Sequence, residues 1–171
     1  HEAIVAASRN ASLAPLGPLL RMTSQVFAPA FSLSSERAST AVAEHGLIVE
    51  AIAAAHEEGA RVTAHCFGEE SLRDFAAAGT DCIEHATGLQ DDTIAAFAAQ
   101  GIDIVPTLVN IETFPAIAEP AREKFPDYHR HMLDLHERRF VTVAAAHEAG
   151  VPVWVGTDAG GALPHGLAAQ E

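Results

Sequence analysis

Two histidines occupy corresponding places in neighbouring segments of the chain. His65 ends the run 61–65, and His85 ends the run 81–85, twenty residues later. Each run reads as a short strand, and the carboxyl ends of such strands in α/β folds are where ligands bind. Side chains alternate along a strand, so we expect the two imidazoles to point to one side. Two converging imidazoles indicate a bound metal ion.

The segment between the two histidines predicts the element that joins their strands. Leu72, Phe75 and Ala76 have the i, i+3, i+4 spacing of an apolar helix face. We expect this helix to begin at residue 69 and to end at Gly79. A strand, helix and strand in so few residues form a βαβ crossover, so the two strands should be parallel.

A helix, a glycine and a strand follow one another four times along the chain. At each place the glycine ends a helix pattern, where φ becomes positive and glycine has the lowest cost. These glycines are Gly59, Gly79, Gly101 and Gly150. The repetition predicts further strands at 102–108 and 151–156, and a repeated β/α architecture.

The other segments are assigned from their composition. Helices are expected at 38–58, 89–100 and 128–149, and residues 1–31 are poorly readable. Three prolines lie in 110–128, which predicts a long irregular excursion over the strand ends.

Composition restricts the class of protein. The chain has 171 residues, of which 49% are hydrophobic, as expected of one globular domain. Its net charge of −13 disfavours nucleic acid and anionic membranes as partners, and no apolar run is long enough to predict a membrane span. Cys66 and Cys82 form no C-x-x-C motif, which favours a reducing, cytoplasmic location.

Several segments resemble the amidohydrolase superfamily, particularly its imidazolonepropionase-like and prolidase-like members. The matching segments occur in order between residues 47 and 171: VTAHCFG, DCIEHATGL, VPTL and AHEAGVPVWVGTDAGG, followed by a later HG. The resemblance implies a (β/α)8 TIM barrel and a metal-dependent hydrolase.

The resemblance also implies roles for individual residues. His65 would follow the fifth strand, His85 the sixth and Asp158 the eighth, and all three would be metal ligands. Asp158 would in addition be the catalytic general base. The implied cofactor is a divalent metal, zinc before iron or manganese, as one or two ions. His165 and Thr107 are candidates for substrate binding.

The chain departs from the family pattern in ways that bear on its extent. No H-x-H pair precedes the predicted strands, since the letters of 129–131 fall in a late helix or loop, and the lysine, Lys124, is also late. A complete barrel needs about 250 residues. We therefore interpret residues 1–171 as the C-terminal portion of one barrel domain, roughly strands 4 or 5 to 8, with parallel strands and alternating helices. The isolated chain is expected to be inactive.

Two functions of different classes remain open. The first is a metal-dependent hydrolase that cleaves an amide, cyclic amide, dipeptide or urea-like C–N bond of a small molecule through a metal-activated water; a homo-oligomer is compatible with it. The alternative is a non-catalytic partial barrel that binds a partner or its missing half through unpaired strand edges. A nucleotide-binding module is disfavoured, because neither G-x-G-x-x-G nor G-x-x-x-x-G-K-[ST] occurs.

Three further residues carry structural expectations. Glu84 should alternate to the face opposite His85. Trp154 should face the barrel interior, and Asp103 should lie at the exposed beginning of its strand, since an unpaired buried carboxylate is costly.

Overall fold

The computed structural model describes residues 48–159, 163–166 and 169. The chain divides into two compact units, His1–Glu58 and Gly59–Glu171. The described part of the first unit contains helix α1, residues 48–57. The expected helix residues 38–47 and the poorly readable 1–31 lie outside the described residues.

A parallel sheet in the order β1-β2-β3 is the centre of the second unit. Its strands are β1 (Thr63–Cys66), β2 (Cys82–His85) and β3 (Asp103–Val105). The strand expected at 151–156 was predicted too long, because this segment pairs with β3 through a single parallel bridge, between Ile104 and Val153. The predicted βαβ crossover with parallel strands is confirmed.

Helices alternate with these strands as the glycine pattern predicts. Helix α2 (Glu69–Ala78) joins β1 to β2, and α3 (Asp91–Gln100) joins β2 to β3. Gly79 and Gly101 cap these helices with φ of 77° and 69°, and φ is 73° at Gly59 and 91° at Gly150. Only glycine adopts this left-handed conformation at little cost, which is why the four positions were readable from the sequence.

The segment after β3 is more regular than the sequence predicted. It contains the short helices α4 (Leu108–Ile111) and α5 (Phe114–Ala118) and a 3-10 turn, Glu119–Ala121. Helix α6 (Pro126–Glu148) follows. The expected irregular excursion was wrong, since the prolines lie in the first turns of α5, the 3-10 turn and α6, where a missing N–H removes no helical hydrogen bond.

The apolar core lies between one face of the sheet and the helices. Ile83 and Ile104 on the strands and Phe97 on α3 are fully buried in it, and α6 contributes Ala146. The other face of the strands carries more exposed side chains, including Trp154, which is 59% exposed. No described helix is long and apolar enough to span a membrane.

Charged side chains form hydrogen bonds with one another and with the backbone at the amino ends of the strands. Asp103 begins β3 and is only 9% exposed, so the expected exposed position was wrong. Its carboxylate accepts a hydrogen bond from the Arg61 guanidinium at 2.9 Å, which offsets the cost of its burial. Next to it, the Asp81 carboxylate accepts a hydrogen bond from the Val62 backbone N–H at 2.7 Å.

Candidate functional site

His65 and His85 meet at the carboxyl ends of β1 and β2. Nε2 of His85 lies 2.6 Å from Nδ1 of His65, and the ring planes are nearly perpendicular, with centroids 4.1 Å apart. His85 is 2% exposed, whereas His65 is exposed. The structure therefore brings together the two histidines that the sequence singled out.

The way in which they meet differs from the sequence argument. In the parallel register His65 pairs with Glu84, and His85 pairs with Cys66, so simple alternation would place the two histidines on opposite faces. The Thr63 hydroxyl accordingly donates to Glu84, which shares the His65 face. The histidines meet because β2 ends in a left-handed turn, with φ of 71° at His85 and 52° at Ala86. Alternation was the wrong reason for a correct convergence.

Thr107, two residues after β3, contacts the other nitrogen of the His85 ring. Its Oγ1 lies 2.5 Å from His85 Nδ1, and the residue is 2% exposed. A threonine oxygen accepts readily from an Nδ1–H group. In that tautomer the Nε2 lone pair of His85 faces His65.

An aromatic side chain that the sequence analysis did not single out covers the pair. The Phe67 ring stacks on His85, with centroids 4.2 Å apart and planes at 13°, and it meets the edge of His65 at 5.1 Å. Phe67 also packs against Phe114 of α5 at 5.4 Å. Its place two residues after His65, in the turn that leaves β1, was the available signal.

Asp158 follows the residues that bridge to β3 and is exposed. Its Oδ2 accepts a hydrogen bond at 2.8 Å from the side-chain amide of Asn110, on α4. Asn110, which lies three residues after Thr107, was not predicted from the sequence. His165 is exposed in the described segment 163–166.

The two imidazoles are neutral near pH 7. Burial, and after it the neighbouring His65, lower the pKa of His85 to about 3. The pKa of His65 is lowered chiefly by loss of water around the ring, while the negative charge of Asp158 acts in the opposite direction. Asp158 is therefore close enough to influence His65 electrostatically.

Neutral nitrogens facing each other suit a divalent metal. Two imidazole nitrogens bound to one tetrahedral zinc at about 2.0–2.1 Å lie roughly 3.3 Å apart, so the pair needs to open by less than about 1 Å. Within 48–159 and the short described segments beyond, no three His, Cys, Asp or Glu side chains form a group that could hold an ion. The described residues thus fit two ligands of a metal site, and the expected approach of Asp158 to the histidines stays a prediction.

The other residues considered as stand-ins for missing ligands have local partners. His129 and His131 lie on α6, where their Nε2 atoms are each 3.5 Å from a carboxylate oxygen, of Glu119 and of Glu69. The Lys124 ammonium lies over the Phe125 ring at 5.1 Å. These contacts indicate structural roles.

A family model and several curated relatives match much of the chain. The model of the amidohydrolase family matches residues 21–169. An uncharacterised protein of Mycobacterium tuberculosis and one of Mycobacterium bovis are each 55% identical over 121 residues, which is 71% of this chain and 32% of the relative. The chain thus spans about a third of the length of the curated relatives it matches.

Three solved structures share the fold of much of this chain. A Xaa-Pro dipeptidase with bound methionine in its active site is 27% identical, with a TM-score of 0.58 over 74% of this chain and 30% of that one. An ochratoxinase of A. niger is 26% identical, with a TM-score of 0.58 over 75% and 27%. A further amidohydrolase is 26% identical, with a TM-score of 0.56 over 69% and 28%.

Proposed function

The chain belongs to the amidohydrolase family, and on this premise we propose that it supplies part of the active site of a metal-dependent hydrolase that cleaves C–N bonds. The observation that carries the proposal is the facing pair of neutral imidazole nitrogens of His65 and His85, 2.6 Å apart at the strand ends. At this distance the two nitrogens need a proton or a metal ion between them, because two facing lone pairs repel each other.

The proposed architecture is the C-terminal portion of a (β/α)8 barrel, roughly strands 4 or 5 to 8. The parallel order β1-β2-β3, with helices between the strands, supports it. The matched segment makes up only 32% of each curated relative, which supports it as well. In this arrangement His65, His85 and Asp158 would follow the fifth, sixth and eighth strands.

The residues that would hold the metal are His65 through Nδ1, His85 through Nε2, and Asp158 through its carboxylate. Zinc is the expected ion, with iron or manganese as alternatives, because two imidazoles and a carboxylate suit all three. When bound, the metal would lower the pKa of a water molecule to about 7 and polarise the scissile carbonyl.

The protein's own groups would orient the reaction and move the proton. The Asp158 carboxylate would accept a proton from the attacking water and pass it to the leaving nitrogen. The amide of Asn110 donates to that carboxylate and would hold it in place. Phe67 stacks on the buried ring of His85 and keeps water from it, which helps to keep the ring neutral.

The proposed substrate is a small molecule with an amide, cyclic amide, dipeptide or urea-like bond. Likeness to a Xaa-Pro dipeptidase makes a dipeptide the first compound to test. The exposed His165 is the proposed contact to the substrate. Thr107 was the other candidate, but its burial and its hydrogen bond to His85 favour a role in positioning that histidine. A cytoplasmic location and a homo-oligomer stay predictions.

The test is metal analysis of the full-length protein that carries this segment, combined with an assay on a panel of dipeptides and cyclic amides. We expect a stoichiometric divalent metal and hydrolysis that a chelator abolishes and added Zn²⁺ restores. A protein with neither bound metal nor metal-dependent hydrolysis would overturn the proposal and favour the non-catalytic partial barrel.

A further inference from the structure

Two residues of the candidate site, His85 and Asp158, form hydrogen bonds to one short turn. Thr107 contacts His85 through Oγ1 at 2.5 Å, and Asn110, one helical turn later, donates to Asp158 at 2.8 Å. The two contacted residues are far apart in sequence and lie at the ends of different strand segments. One segment, residues 107–110, therefore touches both.

The backbone at Thr107 is strained in a way that indicates a requirement for its side chain. Its φ is 50°, in the left-handed region that is unfavourable for β-branched residues. Such a conformation costs on the order of 1–3 kcal/mol and is typical of functional sites. Glycine or asparagine would fit the same backbone at lower cost, so the hydroxyl of threonine is what the position gains.

The turn is also rigidly held. The backbone N–H groups of Asn110 and Ile111 both donate to the Thr107 carbonyl, at 2.9 and 3.2 Å. Ile111 is fully buried in a small cluster with Phe114 and Leu135, against which Phe67 also packs. The turn therefore cannot shift without disturbing the packing between α4, α5 and α6.

We propose that residues 107–110 are a positioning turn for the metal site. Thr107 accepts from Nδ1–H of His85 and so fixes the tautomer whose Nε2 lone pair is free to bind the ion. Asn110 donates to the carboxylate of Asp158 and fixes its direction. The inference rests on the proposed function, and both residues act through their neighbours rather than on the substrate.

The experiment for Thr107 compares two variants of the full-length protein. Thr107→Val keeps the shape and removes the hydroxyl, whereas Thr107→Ser keeps the hydroxyl. Loss of a partner that orients a metal-binding histidine typically lowers metal affinity by about 10–100-fold. We expect that loss for Thr107→Val, measured as the Zn²⁺ dissociation constant by competition with a chelator, and near-parental affinity for Thr107→Ser. If the valine variant does not fold, Thr107→Gly, which suits the left-handed backbone, carries the same expectation.

A spectroscopic measurement separates misplacement of the ligand from general destabilisation. The visible absorption of bound Co²⁺ reports the geometry of its ligands, and we expect it to change in Thr107→Val and to be restored in Thr107→Ser. Glu112→Gln is the matched control, because Glu112 is the C-cap residue of α4 and pairs with Arg139 and His136 of α6. It should lower the melting temperature while leaving Zn²⁺ affinity and the Co²⁺ spectrum unchanged.

The experiment for Asn110 reads a different quantity. Asn110→Ala should lower kcat by about 10–100-fold and leave KM near the parental value, since it disturbs the orientation of Asp158. Its Zn²⁺ affinity should fall less than that of Thr107→Val, because both histidines keep their positions.

The outcomes distinguish this inference from the proposed function. If the parent protein binds no Zn²⁺, both fail. If the parent binds Zn²⁺ and the variants without the hydroxyl bind it equally tightly with an unchanged Co²⁺ spectrum, Thr107 is only structural and the inference is wrong, while the proposed function stands. An Asn110→Ala variant with parental kcat would remove the second half of the inference alone.

Discussion

Gly88 offers a sharp test of how the loop after β2 holds the loop after β1. A methyl group at this residue would lie 2.6 Å from the Phe67 carbonyl oxygen and 2.8 Å from the Glu69 backbone nitrogen. Both distances are 0.6–0.8 Å inside the 3.4 Å at which ordinary contact begins. Because both atoms belong to the backbone, Gly88→Ala can be accommodated only if the loop carrying Phe67 moves.

The expected cost follows from the packing. Forcing an extra methyl group into a filled site typically costs about 1–3 kcal/mol. We expect Gly88→Ala to lower the free energy of unfolding by that amount in urea titrations of the full-length protein. Since the displaced loop carries Phe67, which stacks on His85, Zn²⁺ affinity should fall as well.

Gly68→Ala is the matched control. Gly68 lies in the loop after β1 that also carries Phe67, and its φ is −86°. A Cβ added there would meet nothing within 4 Å. This variant should keep the Zn²⁺ affinity of the parent and lose less stability than Gly88→Ala, since Gly68 is the N-cap of α2, where alanine is less favourable than glycine. Equal effects of the two substitutions, or no effect of Gly88→Ala, would refute the account of a close backbone approach.

Three further predictions concern the site and the chain as a whole. Asp158→Asn should retain metal but lower kcat by roughly 10²–10⁴-fold, as expected for a lost general base. His65→Ala should first lose metal and recover part of its activity at high Zn²⁺. Metal stoichiometry measured beside steady-state kinetics checks both variants, and full activity of Asp158→Asn would exclude the proposed base. Burial raises the pKa of Cys66 to about 12, so this thiol should resist Ellman's reagent in the native protein at pH 8. Its reaction rate should rise about tenfold for each added pH unit below that pKa, and the thiol should react fully in urea. Rapid labelling of the native protein at pH 8 would contradict this prediction. The 171-residue chain produced alone should self-associate, because apolar side chains such as Trp154 are exposed near the sheet edge, and a monodisperse monomer in analytical ultracentrifugation would be the contrary result.

The repeat of helix, glycine and strand could be predicted because glycine marks its conformation in the sequence. Gly79 and Gly101 have the positive φ that their positions predicted, and the helices end there. The parallel order of the strands followed from the short crossover between His65 and His85. These features depend on local rules that a single sequence displays.

The details of the site depended on features that a sequence does not display. The left-handed backbone at His85 and Thr107 is adopted by residue types that usually avoid it, so no pattern indicated it. Asn110 and Phe67 reach the site through short helices and loops whose course is set by packing. The last predicted strand formed a single bridge at Val153, because a ladder needs backbone partners as well as an apolar run.

The ion pair between Arg61 and Asp103 has a consequence for how such a protein changes over time. It lies at the amino ends of strands that are only three or four residues long, and so roughly 10 Å from the histidine edge. The residues that join the amino ends of the strands are thus different from the residues of the candidate site. Mutations in the loops beyond His65 and His85 therefore leave this ion pair in place, and they change stability through the packing of the loops themselves, as Gly88→Ala does.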